Sequence, residues 1–167
     1  MQQPIIMDAT GLHRTVVRLS HEIEERCEGL SEVVLVGVKR DGEIVARRLA
    51  EYFARAQGVA VPCAGLDIEA KSPELGFSVD GKTVVLCDDI LHTGRSALAA
   101  VEALFRLGRP AAIKLLVLVD RGGRELPVRA DFVGKNVPTS RAEFVGVRLT
   151  ELGAAEDAIF IPRTSNS

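Results

Sequence analysis

Two adjacent carboxylates, Asp88 and Asp89, follow the apolar run Val84-Val85-Leu86-Cys87, and a Thr93-Gly94-Arg95-Ser96 turn comes shortly after them. The run is short and unbroken, as expected of a strand buried on both faces. It predicts a strand over 83–87 with the acidic pair at its end, and the apolar periodicity beyond Ser96 predicts a helix that stops at Gly108 and Pro110. A small-residue loop opening a helix offers unpaired amides and the positive end of the helix dipole, and both favour a phosphate. Carboxylates just ahead of it supply acceptors for sugar hydroxyls or ligands for Mg²⁺. A ribose bearing a 5′-phosphate meets all of these demands together.

Two further loops follow apolar runs of the same kind. Val38, Lys39, Arg40, Asp41 and Gly42 come after the run 32–38, and successive amides beside two cations suit a diphosphate. The long segment 120–140 follows the most apolar run of all, 113–119.

These loops need a scaffold. Leu12, Val16, Leu19 and Ile23 form one apolar stripe at helical spacing, with Asp8 or Thr10 available as its cap. Residues 42–57 repeat the pattern with Ile44, Val45, Leu49 and Phe53, and Gly58 closes that helix. Residues 61–68 read as a further strand, and Asp80-Gly81-Lys82 as a turn. Buried strands alternating with helices indicate an α/β fold of three layers, a central, mostly parallel sheet flanked by helices. Ligands bind such sheets outside the carboxyl ends of the strands, where all three loops fall.

Composition sets the bounds. A chain of 167 residues, 47% of them hydrophobic, fits one domain over 1–167. The N-terminus has no charged-then-apolar leader pattern, no apolar run reaches membrane length, and Cys27, Cys63 and Cys87 are odd in number without metal-type spacing. Together these imply a cytoplasmic protein without a membrane partner. A net charge of -2 gives no overall pull toward nucleic acid.

The segment 84–96 resembles the phosphoribosyl-diphosphate (PRPP) loop of the type I phosphoribosyltransferases, and 37–42 falls where that superfamily has its pyrophosphate loop, which often holds a cis peptide. Paired aspartates also end strands in receiver domains, but without Thr-Gly-Arg-Ser after them. The resemblance narrows at Val117-Leu118-Val119-Asp120-Arg121-Gly122, Arg124-Glu125-Leu126-Pro127 and the run from Arg129 to Arg141, which look like the base-binding hood of the PyrR family. That family couples uracil phosphoribosyltransferase activity to regulation of pyrimidine genes. The resemblance runs from about Leu12 to Leu149 and includes Arg18-Leu19-Ser20-His21-Glu22, Arg26 and Leu107-Gly108-Arg109-Pro110.

It implies a phosphoribosyltransferase fold with a small hood built mainly from 120–140. It also implies conversion of uracil and PRPP, with Mg²⁺, to UMP and diphosphate. Asp88 and Asp89 would hold the ribose hydroxyls, offset developing positive charge and meet the metal indirectly through Mg-PRPP. His92, Thr93, Gly94, Arg95 and Ser96 would grip the 5′-phosphate, and residues 38–42 the diphosphate. Arg121, Phe132 and Val133 would bind the base, Phe132 by stacking and Val133 through its peptide. His92, where PyrR proteins carry a tyrosine, suits packing over the ribose better than proton transfer. Arg18, His21, Arg26 and Arg141 match positions that would contact leader mRNA, although Glu22, Glu24 and Glu25 dilute the basic potential. A dimer or tetramer is implied as well.

Two departures bear on activity. Only residues 69–79 stand where the family has a long segment that closes over PRPP. Asp41 replaces the usual arginine of the pyrophosphate loop. These features leave a second reading, a catalytically weak UMP-sensing RNA-binding regulator. A purine phosphoribosyltransferase, the third reading, fits the PRPP loop but not the hood.

Overall fold

The alternation of apolar runs and amphipathic helices assembles, in a computed structural model, as its periodicity requires; the structure describes residues 3–163. In chain order the elements begin with β1 (Ile5–Met7), α1 (Ala9–Arg26), β2 (Val33–Val38), α2 (Asp41–Gln57) and β3 (Cys63–Leu66). They continue with β4 (Thr83–Leu91), α3 (Arg95–Leu107), β5 (Ala112–Asp120) and β6 (Phe132–Asn136). The last two strands are β7 (Gly146–Arg148) and β8 (Ala158–Phe160), separated by a 3-10 turn at Thr150–Leu152.

The main sheet has the order β3-β2-β4-β5-β6 and every neighbouring pair is parallel. Successive side chains of a strand point to opposite faces. Leu35, Val85, Cys87, Leu116 and Leu118 therefore pack with α1 and α2 on one side. Val34, Val36, Val84, Leu86 and Val117 pack with Ala97, Ala100, Ala103 and Leu104 of α3 on the other. Asp8 caps α1, its carboxylate accepting the Gly11 N–H at 2.8 Å, and Gly58 ends α2 in the left-handed conformation. No helix among the described residues is long and apolar enough to cross a membrane. The three cysteines are unpaired, and only Cys87 is fully buried.

Two expectations change. The strand read as 83–87 runs on to Leu91, so Asp88 and Asp89 lie within β4 and not after it. They remain accessible because the β2–β4 ladder ends at Gly37–Cys87 while the β4–β5 ladder continues to Leu91–Asp120. The hood expectation is also redrawn. Residues 132–136 are the edge strand β6 of the main sheet. A separate antiparallel sheet forms from β1, β8 and β7, joining the two ends of the chain. Arg48 of α2 ties it to the body by pairing with Glu151 and Asp157.

Candidate functional site

At the carboxyl end of β4 the chain leaves the sheet through His92 and Thr93, and α3 begins immediately after Gly94. Gly94 has φ 93°, a conformation that favours glycine, and a Cβ there would lie 3.0 Å from Val128. The Thr93 hydroxyl accepts the Arg95 N–H at 3.3 Å. A cavity of about 70 Å³ beneath the loop is lined by Asp88, His92, Thr93, Gly94 and Ser96 on one side and by apolar Ile90, Leu91, Ala97, Leu115 and Val117 on the other. The Arg95 side chain does not turn into it: it is exposed and pairs with Glu125 at 2.7 Å. The hydroxyls left on the cavity wall are those of Thr93 and Ser96.

A second cavity, about 280 Å³, is lined by Lys39, Arg40, Asp41, Asp88 and Asp89, so the two spaces meet at Asp88. The Lys39–Arg40 peptide is cis. Gly37 and Gly42 allow this loop its close fit, because a Cβ on Gly42 would strike the Cys87 carbonyl and one on Gly37 the backbone of Gly42. Within β4 the Asp88 carboxylate accepts the Asp89 N–H at 2.9 Å, and Asp89 accepts the Ile90 N–H at 2.8 Å.

Burial raises the pKa of all three acids. Asp41 is pushed up to about 6 by desolvation, by its hydrogen bond with Asp89 and by that residue's charge, against the lowering effect of Arg40. Asp89 is pushed up to about 6 by desolvation and then by Asp88. Asp88 shifts in the same direction through desolvation. A group whose folded pKa exceeds its unfolded value loses its stabilising contribution as pH rises through the folded value. Asp41→Asn should therefore raise stability at pH 8 by about 1 kcal/mol, after allowance for solvent screening of a half-exposed group, and by nothing near pH 4. Thermal unfolding at both pH values checks this; an equal gain at both would remove the electrostatic explanation.

The base side differs from expectation. Phe132 is 1% exposed, sits in the α1–α2 core and has the Arg26 guanidinium 4.7 Å from its ring centroid. It has no face left for a base. Val133 pairs with Val117 in the sheet and its carbonyl accepts from Arg18 at 3.4 Å, so its peptide is already occupied. A second aromatic of this region, not singled out from the sequence, is Phe144, which is 58% exposed and lies 5.6 Å from the Arg121 guanidinium. Arg121, itself 5% exposed, donates to Thr139 Oγ1 at 3.0 Å and to the Glu143 carbonyl, while its N–H reaches the Leu91 carbonyl at 3.0 Å. The aromatic is thus linked through Arg121 to the end of β4. A signal was present, because Phe-Val-Gly occurs twice, at 132–134 and 144–146.

His92 is half-buried with its imidazole over Gly123, where a Cβ would lie 2.8 Å from Nε2. Packing between the two loops accounts for its position. Of the four positions matched to RNA contact, Arg18, His21 and Arg26 are exposed on α1 and each already has a partner. Arg18 donates to the Gly134 carbonyl at 2.6 Å and pairs with Glu22, and Arg26 donates to the Asp131 carbonyl. Both guanidinium groups thereby cap carbonyls of the β6 edge. His21 meets the Tyr52 hydroxyl at 3.2 Å on the α2 side. Arg141 instead acts electrostatically on Glu125, beside the phosphate loop.

Residues 5–151 match the model of the phosphoribosyl transferase domain. A relative from Roseiflexus named "Bifunctional protein PyrR" is 46% identical over 99% of this chain and 98% of its own length. One of the same name from Listeria monocytogenes is 44% identical over 96% of this chain and 97% of its own. Among solved structures, a hypoxanthine phosphoribosyltransferase of Trypanosoma cruzi superposes with a TM-score of 0.75 at 20% identity. It covers 96% of this chain and 98% of the other. A hypoxanthine-guanine phosphoribosyltransferase of Bacillus anthracis gives 0.69 at 22% identity, covering 87% and 86%. At such identities the structural likeness concerns the fold alone.

Proposed function

The chain belongs to the PyrR family of the phosphoribosyltransferases, and from that premise we propose that it transfers the phosphoribosyl group of PRPP to uracil and answers to the product UMP as a regulator. The observation that carries this reading is the meeting of two cavities at Asp88. One lies beneath a glycine turn at a helix start, with Thr93 and Ser96 on its wall; the other sets a carboxylate pair against Lys39 and Arg40.

The chemistry follows from that arrangement. Breaking the bond between the anomeric carbon and diphosphate builds positive charge on the ribose and negative charge on the leaving group. Ionised Asp88 and Asp89 lie where the sugar would sit, and they stabilise the cation as it forms. Lys39, Arg40 and the amides of 40–42 take the diphosphate, while the Lys39 N–H is held by the Leu66 carbonyl. Residues 92–96 fix the 5′-phosphate, so the anomeric carbon is held in line with an incoming base. The base lies against Phe144, and Arg121 acts on it by holding that ring.

Hard carboxylate oxygens at the diphosphate cavity suit Mg²⁺, whereas no cluster of three or more metal-type ligands among the described residues forms a cage of its own. That fits a cation that arrives with the diphosphate and takes one or two carboxylates, Asp88 and Asp89. When bound it would neutralise the leaving group's charge.

A regulator with slow turnover is the second reading, and a specific observation favours it. The short segment 69–79 is anchored, with Val79 buried and Leu75 and Phe77 packed against the α3-side core. Asp41 adds a negative charge where diphosphate would lie. Asp41→Arg should raise the affinity for diphosphate and PRPP on the order of tenfold, with little change for UMP. Equal gains for all three would take Asp41 out of the diphosphate site. The test of the function is conversion of labelled uracil with PRPP and Mg²⁺, beside calorimetric titration of UMP. Conversion establishes the transferase; UMP binding without conversion selects the regulator; neither result overturns both.

A further inference from the structure

The Asp120–Glu125 pair of loops holds one side chain that the transfer chemistry leaves without a role. Arg124 is largely buried and places its guanidinium between three parts of the chain. Nη1 donates to the His92 carbonyl at 2.9 Å, Nε to the Val128 carbonyl at 2.8 Å, and Nη2 to the Asp120 carboxylate at 2.5 Å. Asp120 is fixed in turn by accepting the Gly122 N–H at 3.0 Å. Around this hub the segment 120–128 meets the phosphate loop at every step. The Arg121 N–H reaches the Leu91 carbonyl at 3.0 Å, and the Glu125 and Leu126 N–H groups share the Thr93 carbonyl at 3.0 and 3.1 Å. Gly94 lies against Val128, and His92 against Gly123.

We propose that Arg124 is a positioning residue for the phosphate site, holding the His92 carbonyl so that the amides of 93–96 converge on one point. The inference rests on the reading of 88–96 as the phosphate loop and adds a residue to it. A loop of small residues has few side chains with which to fix its own shape, and amides aimed at an anion are effective only when held before it arrives. Here the carbonyls of Leu91, His92 and Thr93 all accept from donors of 120–128, and the cavity is lined by His92, Thr93, Gly94 and Ser96 of the same loop. Only the His92 link is made by a side chain, and a planar guanidinium can bridge two carbonyls and a carboxylate at once where an ammonium cannot. The diphosphate cavity has no such connection to Arg124, since its cations stand on the β2–α2 loop.

That separation supplies the test. Calorimetric titrations of wild type, Arg124→Met, Arg124→Lys and Asp120→Asn with UMP, ribose 5-phosphate and Mg-diphosphate compare ligands that use the loop with one that does not. Arg124→Met should weaken UMP and ribose 5-phosphate by about tenfold or more and leave diphosphate within about twofold. Lysine should restore the unfolding midpoint but only part of the phosphate affinity, because it replaces the ion pair and not the carbonyl bridge. Asp120→Asn, which keeps both carbonyl bonds, should lose little. A parallel loss for all three ligands, or full recovery of affinity with lysine, reduces Arg124 to a fold-stabilising residue and overturns the proposal. If Arg124→Met does not fold, lysine and Asp120→Asn decide by themselves: equal affinities in those two overturn it. Failure of the wild type to bind UMP or ribose 5-phosphate strikes the phosphate-loop reading, a result distinct from any failure of Arg124.

Discussion

Replacing both Asp88 and Asp89 by asparagine is expected to remove measurable binding of UMP and PRPP while leaving the chain folded. The two acids stand side by side, partly buried, beyond the end of β2, with raised pKa values that report the cost of keeping charge there. That cost serves no packing purpose. Their local hydrogen bonds, to the Asp89 and Ile90 N–H groups, use one carboxylate oxygen each. An asparagine carbonyl can accept both, so the backbone keeps its partners. What asparagine cannot do is accept from two sugar hydroxyls with full charge, or offset a cation. Each lost charged acceptor should cost on the order of 1–3 kcal/mol, so the double variant loses roughly two to four orders of magnitude in affinity. Stability should move the opposite way. The raised pKa of Asp89 means that the wild type loses stability as pH rises through about 6; the variant sheds that part of the dependence and keeps the part that comes from desolvation of Asp41. A variant that melts higher at pH 8 yet has lost UMP is the expected result. Unchanged UMP affinity would move the sugar site elsewhere.

The order of strand, turn and helix over 84–96 was legible because it is local. Strand, acidic pair, glycine turn and helix start occupy thirteen consecutive positions, 84–96, and each has its own chemical signature. The parallel sheet was legible for a similar reason, since unbroken apolar runs separated by amphipathic helices leave few other arrangements. The second sheet was not. Strands β1, β7 and β8 have three residues each and lie at opposite ends of the chain, too short to show a period of two and too distant for any turn signal to join them. The length of β4 was misjudged because aspartate is a poor strand former, and only the continued pairing with β5 carries the strand through the acids to Leu91. The arginines of α1 illustrate a further limit. Their spacing marks one helix face, but which strand carbonyls they meet depends on β6 lying beside that helix, and β6 was not foreseen.

The duplicated Phe-Val-Gly gives the sharpest separation between packing and recognition. Phe132 and Phe144 have identical following residues, so the sequence offers no local ground for choosing between them. Burial chooses. Phe132→Ala removes a ring enclosed by α1 and the sheet, and should cost about 3–5 kcal/mol of stability, a drop in melting temperature of roughly 10 °C. Phe144→Ala removes an exposed ring and should change stability by less than about 0.5 kcal/mol. Ligand binding should show the reverse order. An aromatic that stacks on a base contributes on the order of 1–3 kcal/mol, so Phe144→Ala should weaken UMP by roughly five- to a hundredfold while ribose 5-phosphate, which has no base, binds as before. The same pocket should prefer UMP to GMP by about an order of magnitude or more, because a mismatched base leaves polar groups unpaired. Calorimetry with the three ligands and thermal unfolding of both variants give the four comparisons. A Phe144→Ala variant that retains full UMP affinity would return the base to another face of the 120–145 region. A stable Phe132→Ala variant that loses UMP selectively would restore the stacking role to the residue that the fold has buried.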